Sequence, residues 1–308
     1  MLRGLLLHMA ENGRVQEFFT RSSFARRAAR RFVAGEELSE AIAVIKELNS
    51  HGILATLDHL GEHVHTEAGA KGAAEEYLRI LDAIHASGVK SHASLKLTQI
   101  GLDFSEALCI ENLSKIAKLA KKYQAFVRID MESSAYTERT LKIYEKLREQ
   151  YDNVGVVIQA YLYRSKPDIE RLIELGANVR LCKGAYSEPP SIAFPRKKDV
   201  DANFIELLKL LMSDKARSRG VYAAIATHDV KLIEWAKQFA SEKKIQKHEF
   251  EFQMLYGIRR ELQQSLAAEG YTVRVYVSYG REWYPYFMRR LAERPANVLF
   301  LLKHLVQR

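Results

Sequence analysis

Two periodicities alternate along the chain. Eight short runs rich in strand formers stand at 53–57, 93–97, 125–131, 154–161, 179–184, 222–227, 249–255 and 272–279. Helical apolar spacing fills the stretches between them, as at 74–85, 137–150, 201–211 and 231–242. Strands alternating with helices predict a parallel sheet with right-handed crossovers, because parallel neighbours cannot be joined by a tight turn. Eight such units in about 250 residues predict an α/β fold closed into a (β/α)8 barrel of the TIM type. A doubly wound open sheet is the alternative, but it carries a glycine-rich turn after its first strand. Neither GxGxxG nor GxxxxGK[ST] occurs here.

The ends break the rhythm. Residues 1–50 read as helical, most clearly at 36–49, where Ser50, His51 and Gly52 stop the helix. An N-terminal helical arm at 1–50 and a barrel domain at 51–308 are therefore expected. The stretch 187–200 holds three of the six prolines and follows the fifth strand run, on the face where barrel sites lie, so it reads as a functional loop. The stretch 276–294 reads as a strand end, a turn at Gly280 and a helix opening around Trp283. On that helix Tyr286, Arg289 and Arg290 share a face, with Glu293 one turn below Arg289. Two guanidiniums beside a phenol suit a carboxylate, whereas a solvated arginine pair on a surface helix is the plainer alternative.

With 47% hydrophobic residues the chain can bury one sizeable core. Two cysteines, Cys109 and Cys182, make no disulfide framework, so a reducing, cytoplasmic setting is expected. Residues 1–10 show neither a long apolar core nor a cleavage pattern, and no membrane span is expected. The net charge of +9 is concentrated locally at Arg26, Arg27, Arg30 and Arg31, one stripe on a helix. The stripe is either a solvated face or a contact for an anionic membrane or nucleic acid. No aromatic-interleaved RNA motif or zinc-finger spacing supports a nucleic-acid partner.

Barrel interiors are usually filled by branched apolar side chains, so polar residues inside the strand runs are informative. His92, Ser94 and Lys96 share one strand face, as do Arg128, Asp130 and Glu132. Gln159, Tyr161, Arg180, Lys183, Thr227, His228, Glu251, Gln253, Arg274 and Tyr276 continue the set around the ring. Core pairs such as Arg128 with Glu251, or Arg274 with Glu132, would explain some of them. Together they predict a large polar cavity in which cations outnumber anions, suited to a phosphate-bearing cofactor, a carboxylate substrate or both. His63 and His65 form an H-x-H after the first strand run, but His228 lies far along and no third ligand has suggestive spacing, so no metal is expected. Lys96 and Lys183, at strand ends, leave a Schiff-base lyase open as an alternative.

The motifs LDHLGE (57–62), SLKL around Lys96, RIDME around Asp130, VVIQAY around Gln159, RLCKGAY (180–186), ATHD (226–229), EFQML (251–255) and YxxRRxxE (286–293) occur in that order. Together they resemble the proline dehydrogenase family, over about residues 35–300 and in the length of its monofunctional bacterial type. The resemblance implies a distorted barrel flavoprotein that uses FAD to oxidise L-proline to Δ1-pyrroline-5-carboxylate by hydride transfer. It further implies a membrane quinone as acceptor and a cytoplasmic protein peripheral on the inner membrane. Arg289, Arg290 and Lys96 would hold the proline carboxylate; Leu181, Tyr186, Tyr276 and Tyr286 would wall the ring; Glu62 would close over it by pairing with Arg289. Asp130 and Met131 would lie beside the flavin, Arg180 near its N5 and Gln159 near its pyrimidine edge. Lys183, Gly184, Ala185, Thr227 and His228 would hold the rest of FAD, with Glu251 and Gln253 nearby. Tyr276 stands where the resemblance implies tyrosine in proline users and a smaller residue in hydroxyproline users.

Overall fold

The computed structural model describes residues 23–61 and 63–293. Eight parallel strands pair in chain order: β1 (Leu54–His59), β2 (Ser91–Leu95), β3 (Val127–Ile129), β4 (Val154–Gln159), β5 (Asn178–Cys182), β6 (Tyr222–Ala226), β7 (Phe250–Leu255) and β8 (Thr272–Tyr279). β8 returns to β1 and closes the ring, the (β/α)8 barrel expected from the alternation. The helices are α1 (Ser23–Ala29), α2 (Leu38–Ser50), α3 (Glu67–Ser87), α4 (Glu106–Lys122), α5 (Ser134–Arg148), α6 (Ser165–Glu174), α7 (Lys197–Leu211), α8 (Asp214–Ser218), α9 (Val230–Glu242), α10 (Arg260–Ala268) and α11 (Trp283–Glu293). α3 starts at Glu67 rather than at 74, because the Thr66 side chain accepts the Gly69 N–H and caps a first turn of small residues with no apolar period.

Strand alternation sends one set of side chains outward and the other into the lumen. Leu57, Leu95, Ile129, Val156, Val179, Ile225, Phe252 and Val275 are the outward set, fully buried in one core cluster with the helices. Each such side chain removed from water contributes roughly 1.5–3 kcal/mol. The lumen is polar instead, so its charges must find partners. Arg274 donates to both Glu251 oxygens at 3.0 and 3.1 Å and to the Ala55 carbonyl at 2.9 Å. Arg128 donates to the carbonyls of Val156 and Asn178 and to the Asn178 side chain, with its guanidinium 5.0 Å from the Phe126 ring. Neither core pair weighed from sequence forms: Glu251 goes to Arg274, and Arg128 is held by Asn178 and main-chain carbonyls. β7 and β8 are neighbours with Gln253 opposite Arg274, which puts Glu251 within Arg274's reach, while Glu132 takes the Thr98 hydroxyl.

The ring slot between β8 and β1 is filled from the N-terminal side: α2 packs against both strands. α11 instead gathers with α1 in a separate cluster. This cluster includes Leu60, just after β1, and Ile258, just after β7, so it caps the C-terminal rim of the barrel. The connection is stitched by backbone bonds from Ala34 N–H to Ser278 O (2.8 Å) and from Gly280 N–H to Gly35 O (3.0 Å). Within the arginine stripe, Arg26 pairs with Glu36 at 3.8 Å and Arg30 with Glu40 at 2.6 Å, and the Arg31 guanidinium lies 5.8 Å from the Phe32 ring centroid.

Gly257, at φ +77°, sits where the segment before α2 crosses the rim, and a Cβ there would fall 1.7 Å from the Arg31 carbonyl oxygen. Gly257→Ala is expected to lower unfolding free energy by about 1–3 kcal/mol through this overlap and the left-handed backbone. Denaturant unfolding checks this; an unchanged midpoint would show that the crossing is not tightly held.

Candidate active site

At the C-terminal end of β3 the Asp130 N–H donates to Leu95 O, fixing the residue against β2. Its carboxylate accepts from Ser94 Oγ (2.7 Å), Arg180 Nη1 (2.6 Å) and Tyr276 Oη (2.7 Å). Three strands besides β3 therefore converge on one anion. The Arg180 guanidinium also lies 5.2 Å from the Tyr276 ring centroid, so the two groups held by Asp130 stack on each other. Burial first, then the charges of Asp130 and Asp58, hold the Tyr276 phenol well above its ordinary pKa and keep it a donor. Ser94, marked in the sequence only by its place between His92 and Lys96 on one strand face, is given no site role there, and the structure brings it onto Asp130.

Lys96 lies 3.5 Å from buried Asp58, which Ser278 Oγ approaches at 3.3 Å. Gln159 donates to the Glu132 carbonyl at 2.8 Å. Lys183 spends its donors on Asp201 (2.5 Å) and Asp229 (2.9 Å). Burial would raise the Asp229 carboxyl, but hydrogen bonds from Lys183 and Lys197 bring it down to about 2. Thr227 is buried and its hydroxyl accepts the Asp229 N–H; His228 Nε2 accepts the Leu255 N–H at 2.9 Å and so ties β6 to β7. Gly184 has φ +112°, and a Cβ on it would meet the Tyr161 ring at 2.2 Å. Ala185 next to it is exposed and Tyr186 half-buried. The 187–200 loop is pinned by Glu188, which accepts from the N–H and hydroxyl of Ser134, and by a bridge between Leu162 and Ala193.

On α11, Tyr286 and Arg290 are buried and stacked, the guanidinium 5.0 Å from the ring centroid, and Arg289 is half-buried. Glu62, expected to pair with Arg289, lies outside the described residues. Leu181, Met131 and Glu251 lie away from the Asp130 cluster. Leu181 alternates with Arg180 and faces the helix layer, fully buried in the main core; the inner-face aliphatic residue is Leu255, whose register partner is Tyr276. Met131 is likewise in that core, and Glu251 sits a layer below, clamped by Arg274. His63, weighed as a metal ligand, bonds Asp103 at 3.0 Å. Burial pushes the Cys182 thiol up to about 11, which makes it a poor nucleophile.

Residues 41–303 match the model of a family described as Proline dehydrogenase. The chain is 45% identical over 308 residues to Proline dehydrogenase 1 of Bacillus subtilis subsp. natto, covering all of both chains. It is 40% identical over 312 residues to Proline dehydrogenase of Deinococcus radiodurans, covering all of this chain and 98% of that one. Among solved structures it is similar to proline utilization A from Bdellovibrio bacteriovorus inactivated by N-propargylglycine, with a TM-score of 0.82 and 23% identity. That likeness covers 94% of this chain and 38% of the longer one, and it concerns the fold.

His92, its ring 4.8 Å from that of Phe126, carries a pH consequence. Burial first, then Arg274, Arg128 and Arg180, hold its pKa well below 6.5. As pH falls through about 6.5 the unfolded chain takes up this proton and the folded chain does not, so stability drops. His92→Gln is expected to flatten the stability profile between about pH 6.5 and 5 by up to about 1.4 kcal/mol per pH unit. Parallel slopes for parent and variant in denaturant titrations would show that His92 titrates normally.

Proposed function

The chain belongs to the proline dehydrogenase family, and from that premise we propose that it oxidises L-proline to Δ1-pyrroline-5-carboxylate with FAD as its cofactor. The observation that supports this most directly is the Asp130 cluster. A buried anion there holds an arginine and a tyrosine in one stacked arrangement at the mouth of a polar barrel. The residues present fit the cofactor. Arg180 spends Nε on Gln253 and Nη1 on Asp130 and Ser94, which leaves Nη2 to donate to a flavin acceptor. Tyr161 Oη, buried beside Gly184, has no hydrogen-bond partner among the described residues. Gln159, Thr227 and His228 supply further donors and Gly184 a close backbone approach for the rest of FAD, with Ala185 beside them and Lys183, held by Asp201 and Asp229, contributing its charge.

When bound, FAD supplies the two-electron chemistry, accepting hydride from the ring carbon next to nitrogen. The chain's own residues bind and orient. Arg289, Arg290 and Lys96 hold the proline carboxylate by charge-assisted bonds, while Tyr276, Tyr186 and Tyr286 wall the ring. The substrate ammonium must lose a proton before hydride leaves, and cations around it favour the neutral amine. Asp130, already accepting from three donors, serves as the anchor of Arg180 and Tyr276 rather than as the base. For Glu62, which lies outside the described residues, the proposed role is to pair with Arg289 over the substrate. Electrons pass on to a lipid-soluble quinone, and the protein works in the cytoplasm in peripheral contact with the inner membrane. The net charge of +9 supports that contact, and no helix among the described residues is long and apolar enough to cross a membrane.

The first test is an absorbance spectrum of the purified protein before and after anaerobic L-proline. Flavin bands that bleach are expected; a loaded flavin that stays oxidised with proline would reject the substrate. Arg289→Ala and Arg290→Ala are each expected to cost about 2–5 kcal/mol in kcat/KM for proline while flavin is retained. Steady-state kinetics near parent values in both variants would remove the carboxylate assignment.

A further inference from the structure

We infer that Glu251 is a positioning residue: through the Gln253 amide it fixes the orientation of Arg180. Arginine can only donate, so the Gln253 atom that meets Arg180 Nε at 2.5 Å is its carbonyl oxygen. The amide nitrogen is thereby turned to Glu251, whose Oε1 accepts from it. An amide is two-ended, and nothing in Gln253 itself prefers one orientation. Turned over, it would aim its N–H2 group at the Arg180 Nε–H, donor against donor. What prevents this is that Glu251 presents only acceptors, and Glu251 is held in turn by Arg274 at 3.0 and 3.1 Å.

Burial makes the order binding. Glu251 is 2% exposed, Gln253 4%, Arg180 6% and Arg274 6%, so no bulk water stands by to satisfy a misdirected group. β7 supplies the geometry, since Glu251 and Gln253 are two residues apart on the lumen face and Gln253 is opposite Arg274 on β8. At the other end Arg180 reaches Asp130 at 2.6 Å and lies over Tyr276. Held at Nη1 alone it could swing about Asp130; the second hold, at Nε, defines the plane of the guanidinium and hence where Nη2 points. A purely structural Glu251–Arg274 pair would contribute to stability and leave Arg180 untouched.

The experiment uses flavin-loaded protein labelled with 15N in arginine side chains. The Arg180 Nε–H signal is assigned by its loss in Arg180→Lys. In Glu251→Gln the new amide keeps an acceptor for Arg274 and turns its nitrogen to Gln253, which must flip. The Arg180 Nε–H is then expected to exchange with solvent about tenfold faster or more, and kcat/KM for proline to fall by a similar factor. In the double variant Glu251→Gln, Gln253→Glu the carboxylate moves to position 253 and accepts from both sides. Both readouts are expected to recover to within about threefold of the parent. Unchanged Arg180 exchange in Glu251→Gln overturns the inference, and so does a loss that the double variant does not recover.

Should Glu251→Gln fail to fold, Gln253→Leu takes its place. It cuts the link but leaves Glu251 and Arg274 paired, and an unaltered Arg180 signal there overturns the inference equally. The kinetic readout rests on the proline dehydrogenase reading, whereas the exchange readout does not. A parent protein that fails to bleach with proline removes that reading and leaves the exchange result standing.

Discussion

A charge inside a closed barrel must be met inside the barrel, and that requirement organises this molecule. Arg180 lies across the lumen, tied to Asp130 on β3 and to Gln253 on β7. Below it Arg274 is tied to Glu251, and Arg128 to Asn178 and two main-chain carbonyls. A lumen of branched apolar side chains would be at least as stable, since replacing buried ion pairs by well-packed hydrophobic groups is often neutral or favourable. Breaking one partner, by contrast, strands a buried charge at a cost of about 3–5 kcal/mol. The polar lumen is thus a rigid but unforgiving scaffold, and its value lies in holding Tyr276, Arg180 and Asp130 in one arrangement.

Stability comes from elsewhere. The outward faces of the strands and the inner faces of the helices form the main core, so the lumen is free to carry chemistry. The same division explains the ends of the chain. α2 takes the wall position between β8 and β1, and α11 lies over the rim in the cluster that includes Leu60 and Ile258. The backbone bonds that join residues 34–35 to Ser278 and Gly280 hold both pieces together. The N-terminal segment therefore shapes the mouth of the site without supplying an expected site residue to it.

Much of this was legible in the amino-acid sequence because it depends on local repeats. The two periodicities gave the strand count, and from it the parallel barrel. Alternation within strands marked Lys96, Asp130, Arg180, Gln253 and Tyr276 as lumen residues, since one face of a strand repeats every second residue. The same alternation about Arg180 turned Leu181 away from the lumen, which the motif resemblance alone did not reveal. Closure and register decided what lies far apart in sequence. Arg274 pairs with Glu251 and not Glu132 because β7 and β8 are neighbours; Leu255 and Tyr276 meet for the same reason. That α2 and not α11 completes the wall also follows from packing between distant segments. A sequence records which side chains share a strand or helix face, but which faces meet is settled only when the ring closes and each buried charge takes the partner within its reach.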